Sequence, residues 1–364
     1  MEERHTNRHT RKGKRKVKWL ITGGCGFIGA NLVSRLRKDE KNRIRVLDNL
    51  KVGSFKNITP YSTTEFSSCF TDVELVDGDI RGQKTVVEAA RGSDVIVHLA
   101  ALPGVRESVQ EPQQYFNNNV IGTFNILEAA RVNEITNVIF ASSAAAVGEC
   151  KPPVNETKYQ EPISPYGATK TCGEALCHAY HHSYKMSISS LRFSNVYGPY
   201  SAHKTSLVAK FIRRAINGKI LQIYGSGNQT RDFIYVDDLV SAIIKLSILP
   251  QYGIFQLSTG IETSVNKVVS ELVRMLKEKG IEDIQLEHIS EQLGDMKTNW
   301  ADSSKLRKAI NWKPEVDLET GLWKTIDWFF KQKKRAPHKS KQGSKPTDDD
   351  LRFRRFDLNT SRTT

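Results

Sequence analysis

Tyr166 and Lys170 stand four residues apart, just behind Ser164-Pro165, a pair that marks a helix start. At that spacing both side chains project from one helical face. An ammonium beside a phenol favours the phenolate and draws a reference pKa of about 10 toward working pH. Such a phenolate can take the proton of an alcohol whose carbon gives hydride to a neighbouring acceptor. Gly23-Gly24-Cys25-Gly26-Phe27-Ile28-Gly29, upstream, points to that acceptor. It follows a strand-like run and opens a helix, so its bare backbone can approach a pyrophosphate at the positive helix end. Alone the pattern is weak, since an ordinary tight turn also fits. Asp48 ends the next strand 19 residues after Gly29, near the interval of about 20 expected for an acid on the ribose hydroxyls. That acid repels a 2′-phosphate, so the set predicts NAD rather than NADP. Asp79-Ile80 could flank the adenine, although Asp79 also fits a plain turn. Ser142-Ser143 close a later strand, and a serine hydroxyl there can bind the oxygen that loses its proton.

Six short apolar runs rich in β-branched residues must carry these groups: Val17–Ile21, Ile44–Asp48, Val73–Asp77, Val95–Leu99, Asn137–Ser142 and Met186–Phe193. Helical patterns alternate with them at Phe27–Lys38, Gln83–Ala90, Asn117–Val132 and Pro165–Tyr184. Alternation of this kind predicts an α/β fold: a Rossmann-type doubly wound parallel sheet with a smaller C-terminal substrate-binding domain. From Gly198 the texture changes to mixed loops and helices, with one further strand at Ile254–Leu257 and an amphipathic Leu318–Phe330. The expected division is a tail at 1–16, a nucleotide domain at 17–196 with 233–262 returning to it, a second domain at 197–232 and 263–330, and a tail at 331–364. His98, at the end of the fourth strand, fits a satisfied core histidine better than a catalyst.

The 364 residues carry a net charge of +14, which suggests nucleic acid until it is located. Residues 1–18 hold eight basic against two acidic residues and 331–364 eleven against four, leaving about +1 for the body between. The basicity therefore belongs to polar tails of disordered composition, which could meet an acidic partner but give no firm sign of nucleic acid or membrane. Cys25, Cys69, Cys150, Cys172 and Cys177 form no CxxC pair and no set with metal spacing. An odd, scattered count, with no apolar run long enough to span a bilayer, predicts a cytoplasmic protein without a metal.

With these residues in place, the chain resembles the extended short-chain dehydrogenase/reductase family, and within it the nucleotide-sugar 4-epimerases, over about residues 17–330. The resemblance rests on Thr22–Gly29, Val46–Leu50, His98–Ala101, Asn119–Thr123, Ser142-Ser143, Ser164–Lys170, Leu191–Asn195, Tyr224–Gly227, Arg231–Leu239 and Trp300–Asp302. It implies that Ser143, Tyr166 and Lys170 are catalytic and that NAD meets Gly23, Gly26, Phe27, Ile28, Gly29, Asp48, Asn49, Asp79, Ile80, Leu99, Ala100, Ala101, Asn119, Tyr166, Lys170, Phe193 and Val196. It further implies a UDP-sugar substrate. Asn195 and Arg231 then hold sugar and diphosphate, while Leu207, Gln222 and Tyr224 wall the uracil. Asn299 occupies the position that gates bulk beside the sugar, and Asp295 lies four residues before it in the same substrate segment. Related dehydratases place an Asp-Glu pair after the strand-end serine or threonine, and decarboxylases a glutamate. Ala144-Ala145-Ala146 stand here instead and can neither donate nor accept a proton. The resemblance therefore implies C4 epimerisation of UDP-glucose/UDP-galactose, with UDP-GlcNAc/UDP-GalNAc also admitted by Asn299. Arg106 resembles a residue of uronic-acid epimerases and keeps UDP-glucuronate open; a dehydratase, a decarboxylase and an NAD-bound sensor or scaffold are further alternatives. Ala145, Val147 and Gln292 depart from the family's usual residues. Relatives pair the helices around Asn117–Val132 and Pro165–Tyr184, which implies a homodimer.

Overall fold

The computed structural model describes residues 16–59, 73–291 and 297–335. The expected strands appear as β1 (Val17–Thr22), β2 (Asn42–Asp48), β3 (Val73–Asp77), β4 (Val95–His98), β5 (Asn137–Ser143) and β6 (Ser187–Phe193). With Gly253–Leu257 they form one seven-stranded sheet, ordered Gly253–Leu257, β6, β5, β4, β1, β2, β3. Every pairing in it is parallel. Parallel central strands are covered on both faces, which explains their near-continuous apolar runs. Ile21, Val97, Ile139 and Leu191 enter one core, whereas Leu20, Ile96, Val138, Phe140 and Ile188 enter the other. The order reverses between β1 and β4, so a crevice opens where their carboxyl ends diverge. Gly23, Leu99 and Ser143 all stand at that edge.

Helix Pro165–Tyr184 starts as its sequence dictates. The Ser164 hydroxyl accepts from the Gly167 N–H at 3.1 Å and Pro165 fills the first turn. About two turns further in, a Cβ at Gly173 would run into the Phe140 ring on β5. That missing side chain lets the helix lie close on the sheet and fixes the height of Tyr166 and Lys170. Gly173→Leu is expected to lower stability by about 1–3 kcal/mol through overpacking. Calorimetric unfolding checks it, and an unchanged melting temperature would contradict the close packing.

Two stretches differ from the sequence expectation. The helix anticipated at Asn117–Val132 begins with a wide π-helical stretch, Phe116–Ile121, before regular turns over Gly122–Val132. The wide turn carries Asn119 into the interior. There its side chain accepts from the Leu102 N–H at 2.8 Å and donates to the Leu102 carbonyl and Thr169 Oγ1, both at 3.1 Å. The second half also holds more strand than expected. Leu221–Tyr224 pairs with Leu286–Ile289, Asn195–Tyr197 with Phe233–Tyr235, and Thr230–Arg231 with both Thr263–Ser264 and Thr298–Asn299. Strands of two to four residues are too short to show a period of two. The helix expected to end at Phe330 runs to Arg335, five residues into the expected tail; residues 1–15 and 336–364, with Cys69, Gln292 and Asp295, lie outside the described residues.

Candidate active site

The glycine loop is shaped by close backbone approach. Gly23 takes φ +68° against the backbone of Ala100, and a Cβ on Gly29 would collide with the Gly23 carbonyl. Gly26 then caps α1 (Phe27–Leu36), whose N-terminus opens on the crevice. Asp48 staples this loop from β2: its two oxygens accept from the Cys25 and Leu50 N–H groups, each at 2.9 Å. Each carboxylate oxygen keeps a second lone pair for a ligand hydroxyl. Asp48 still borders the crevice.

A cleft of about 430 Å³ follows the carboxyl edge of the sheet. Its lining includes Gly23, Gly26, Phe27, Ile28, Gly29, Asp48, Asn49, Ile80, Leu99, Ala100, Ala101, Ser143, Tyr166, Lys170, Phe193, Asn195 and Val196. Two residues expected against the cofactor do not line it. Asp79 turns to Arg81 at 2.9 Å and to Asn49 at 3.0 Å, and Asn119 ties the Leu102 loop to the Tyr166 helix from behind. A second cavity of about 300 Å³ holds Leu207, Gln222, Tyr224 and Arg231, and shares Asn195, Val196 and Ser206 with the cleft. Asn299 pairs in register with Arg231. Arg106 is placed elsewhere, at the start of a short helix, Val105–Gln110, beside a third cavity. His98 is a core histidine: Thr22 Oγ1 lies 2.8 Å from one ring nitrogen and Thr123 Oγ1 3.1 Å from the other. Burial pushes its pKa down to about 3, so it stays neutral.

Electrostatics at Tyr166 correct one expectation. Burial raises the phenol above its ordinary value, and the Ser143 hydrogen bond lowers it only in part. Lys170 Nζ lies 5.9 Å from the Tyr166 ring centre and donates to the Ala141 carbonyl at 2.8 Å. In the protein alone, desolvation therefore outweighs the ammonium that the spacing suggested. Lys170 itself is buried, which brings its pKa down to about 8 against an upward pull from Glu174. A hydroxyl, a phenol and a lysine thus face one cleft beside a nucleotide-shaped glycine cradle.

The model of the NAD dependent epimerase/dehydratase family matches residues 19–253. The chain belongs to this family. Its cofactor is NAD, and the Gly23–Gly29 cradle fits a dinucleotide: it borders the cleft at the α1 N-terminus, and Cβ atoms at Gly23 or Gly29 would break the close backbone packing that shapes it. A UDP-glucuronate 4-epimerase from Thermodesulfobacterium geofontis is 35% identical over 85% of this chain and 95% of its own length. A putative UDP-glucose 4-epimerase of Methanocaldococcus jannaschii is 35% identical over 85% and 97%. Among solved structures, the UDP-N-acetylglucosamine 4-epimerase of Methanobrevibacter ruminantium M1, in complex with UDP-N-acetylmuramic acid, superposes with a TM-score of 0.80. It is 32% identical and covers 87% of this chain and 99% of that one.

This family member also places groups at the site that sequence reasoning passed over. Gln114 and Asn118 line the cleft from the short helix Pro112–Tyr115 and the π-helical stretch, and His203 and Lys204 from a loop, none with a motif of its own. Glu174 and Arg192 lie directly behind it, both buried. The interval Tyr166, Lys170, Glu174 repeats every four residues on one helical face and could have revealed the glutamate. Among the described residues no group of three or more His, Cys, Asp or Glu could hold a metal, and no helix is long and apolar enough to cross a membrane.

Proposed function

We propose that this protein inverts carbon 4 of a UDP-sugar through a transient 4-keto sugar, with Tyr166 as the proton-transfer group. The observation that carries this reading is Ser143, Tyr166 and Lys170 on one cleft, followed only by the methyl groups of Ala144–Ala146. When bound, NAD supplies a reversible hydride acceptor and a positive charge near the phenol. Tyr166 exchanges a proton with the sugar hydroxyl, and Ser143 orients that hydroxyl and stabilises the phenolate. Lys170 holds a positive charge in the buried wall of the cleft. Without an acid–base pair beyond Ser143, the ketone is not steered to dehydration, so reduction from its other face completes inversion.

Arg231 suits the diphosphate because its planar fork matches phosphate oxygens. Leu207 and Tyr224 suit a uracil, and the second cavity joins the reactive cleft through Asn195 and Ser206. UDP-glucuronate is the second reading, favoured by the relative from T. geofontis. Arg106 borders a cavity with Lys210, Arg213 and Arg214, which adjoins the second cavity through Thr205, Lys210 and Tyr224 and does not include Tyr166. Incubation with UDP-glucose, UDP-GlcNAc and UDP-glucuronate separately, without added NAD, tests the assignment. Proton NMR at the anomeric position is expected to show inversion of at least one sugar. A product lacking a hydroxyl or a carboxylate would sink the epimerase reading.

The pH dependence follows from Lys170. Its pKa of about 8 means that its charge is present below that value and lost above it. Turnover is therefore expected to decline as pH rises through about 8, and a profile still climbing well beyond that would contradict a role for the ammonium. Dimerisation through Asn117–Val132 and Pro165–Tyr184 is also part of the proposal, supported by exposed Ile121, Phe124, Val132 and Tyr184. Light scattering on the purified chain should give twice the 41.1 kDa chain mass.

A further inference from the structure

Glu174 and Arg192 form a doubly hydrogen-bonded ion pair, with Nε–Oε1 at 2.8 Å and Nη2–Oε2 at 2.7 Å. Both side chains are 1% exposed. Ser142 Oγ donates to the same carboxylate from the strand end, and Gln160 donates from the loop that precedes the Tyr166 helix. Four donors thus fix one carboxylate. Ser142 and Arg192 are also paired in register across β5 and β6. A buried pair of this kind adds little net stability compared with an apolar one of the same shape, so its presence asks for another reason.

Its position supplies one. Glu174 lies one helical turn beyond Lys170 on the same buried face, next to the residue that precedes Ser143. We infer that Glu174 is a positioning residue: its fixed negative charge keeps the buried Lys170 amine protonated, while Arg192, Ser142 and Gln160 hold that charge in place. The inference rests on the reading of Lys170 given above. Of the other groups around Lys170, only Cys177 also pulls it upward, and it ranks behind Glu174. His98, from β4, is neutral with its pKa down to about 3. Cys177, on the same helix, is pushed up to about 12 and stays a thiol. Tyr166 is raised by burial. Cys150, which faces Arg192, is likewise raised by burial. The upward pull on Lys170 comes first from Glu174, against desolvation.

The test reads the lysine directly. In full-length protein labelled at lysine side-chain nitrogen, the Lys170 resonance is assigned by its loss in Lys170→Arg and titrated by NMR. Glu174→Gln is expected to lower the Lys170 midpoint by about one pH unit or more, because it removes the anion and leaves the Arg192 cation uncompensated. Glu174→Leu combined with Arg192→Met removes both charges, is the safer variant to fold, and is expected to fall between wild type and the single variant. Where the enzyme turns over, the alkaline limb of its pH profile should move by the same amounts. A midpoint unmoved in the double variant, or in both, overturns the inference, whatever the wild-type enzyme does. A shifted midpoint in a protein that inverts no UDP-sugar would instead leave the inference standing and sink the epimerase reading.

Discussion

Tyr166→Phe is expected to lower turnover by about 10²–10⁴-fold, the usual worth of a positioned acid–base group, while NAD stays bound and the fold intact. The ring stays in place with only one oxygen removed, so the cleft keeps its shape and loses its proton acceptor. The phenol is buried and hydrogen-bonded to Ser143. Its removal leaves no other titratable hydroxyl on β5 or on the first turn of Pro165–Tyr184, because the residues after Ser143 are Ala144, Ala145 and Ala146. Steady-state rates alongside the bound-NAD content of the purified variant check this. A variant that retains even a tenth of wild-type turnover would show that another group moves the proton.

Gly29→Ala carries the second large effect. A Cβ at this position meets the Gly23 carbonyl and the Gly24 backbone, and neither is a flexible side-chain end that could yield. Relief requires the loop to move away from α1, which breaks the approach that a pyrophosphate needs. The expected outcome is protein purified without NAD, with stability reduced by about 1–3 kcal/mol. Nucleotide content after acid release, together with calorimetry, decides it. Normal NAD content would mean that the cradle is wider than its backbone contacts indicate.

The nucleotide half was legible because its signals are local and strong. Gly23–Gly29, Asp48 and six apolar runs each announce a backbone role through composition alone, and all six runs became strands. Tyr166 and Lys170 were legible as a face of a helix whose Ser164 cap was visible. Their electrostatics were not, because spacing says which groups can meet but not which way the lysine turns. Lys170 chose the Ala141 carbonyl, and burial then decided the sign at the phenol. The surroundings of Asn119 were illegible for a related reason: a π-helical turn shifts side chains off the regular face, and this one ties the Leu102 loop to Thr169. Arg106 lay in a segment read as a loop but folded as a helix start, which carried it to a different cavity. The small paired strands of the second half were invisible because two to four residues carry no periodicity.

The central claim is that the sugar's own carbon-4 hydrogen leaves and returns to the same carbon. Incubating UDP-glucose or UDP-GlcNAc deuterated at carbon 4 with the enzyme in unlabelled water tests it most directly. Epimerisation at Tyr166 predicts an inverted sugar that keeps its deuterium at carbon 4. Loss of the label to water, or its transfer to carbon 6 with expulsion of the hydroxyl there, would contradict it.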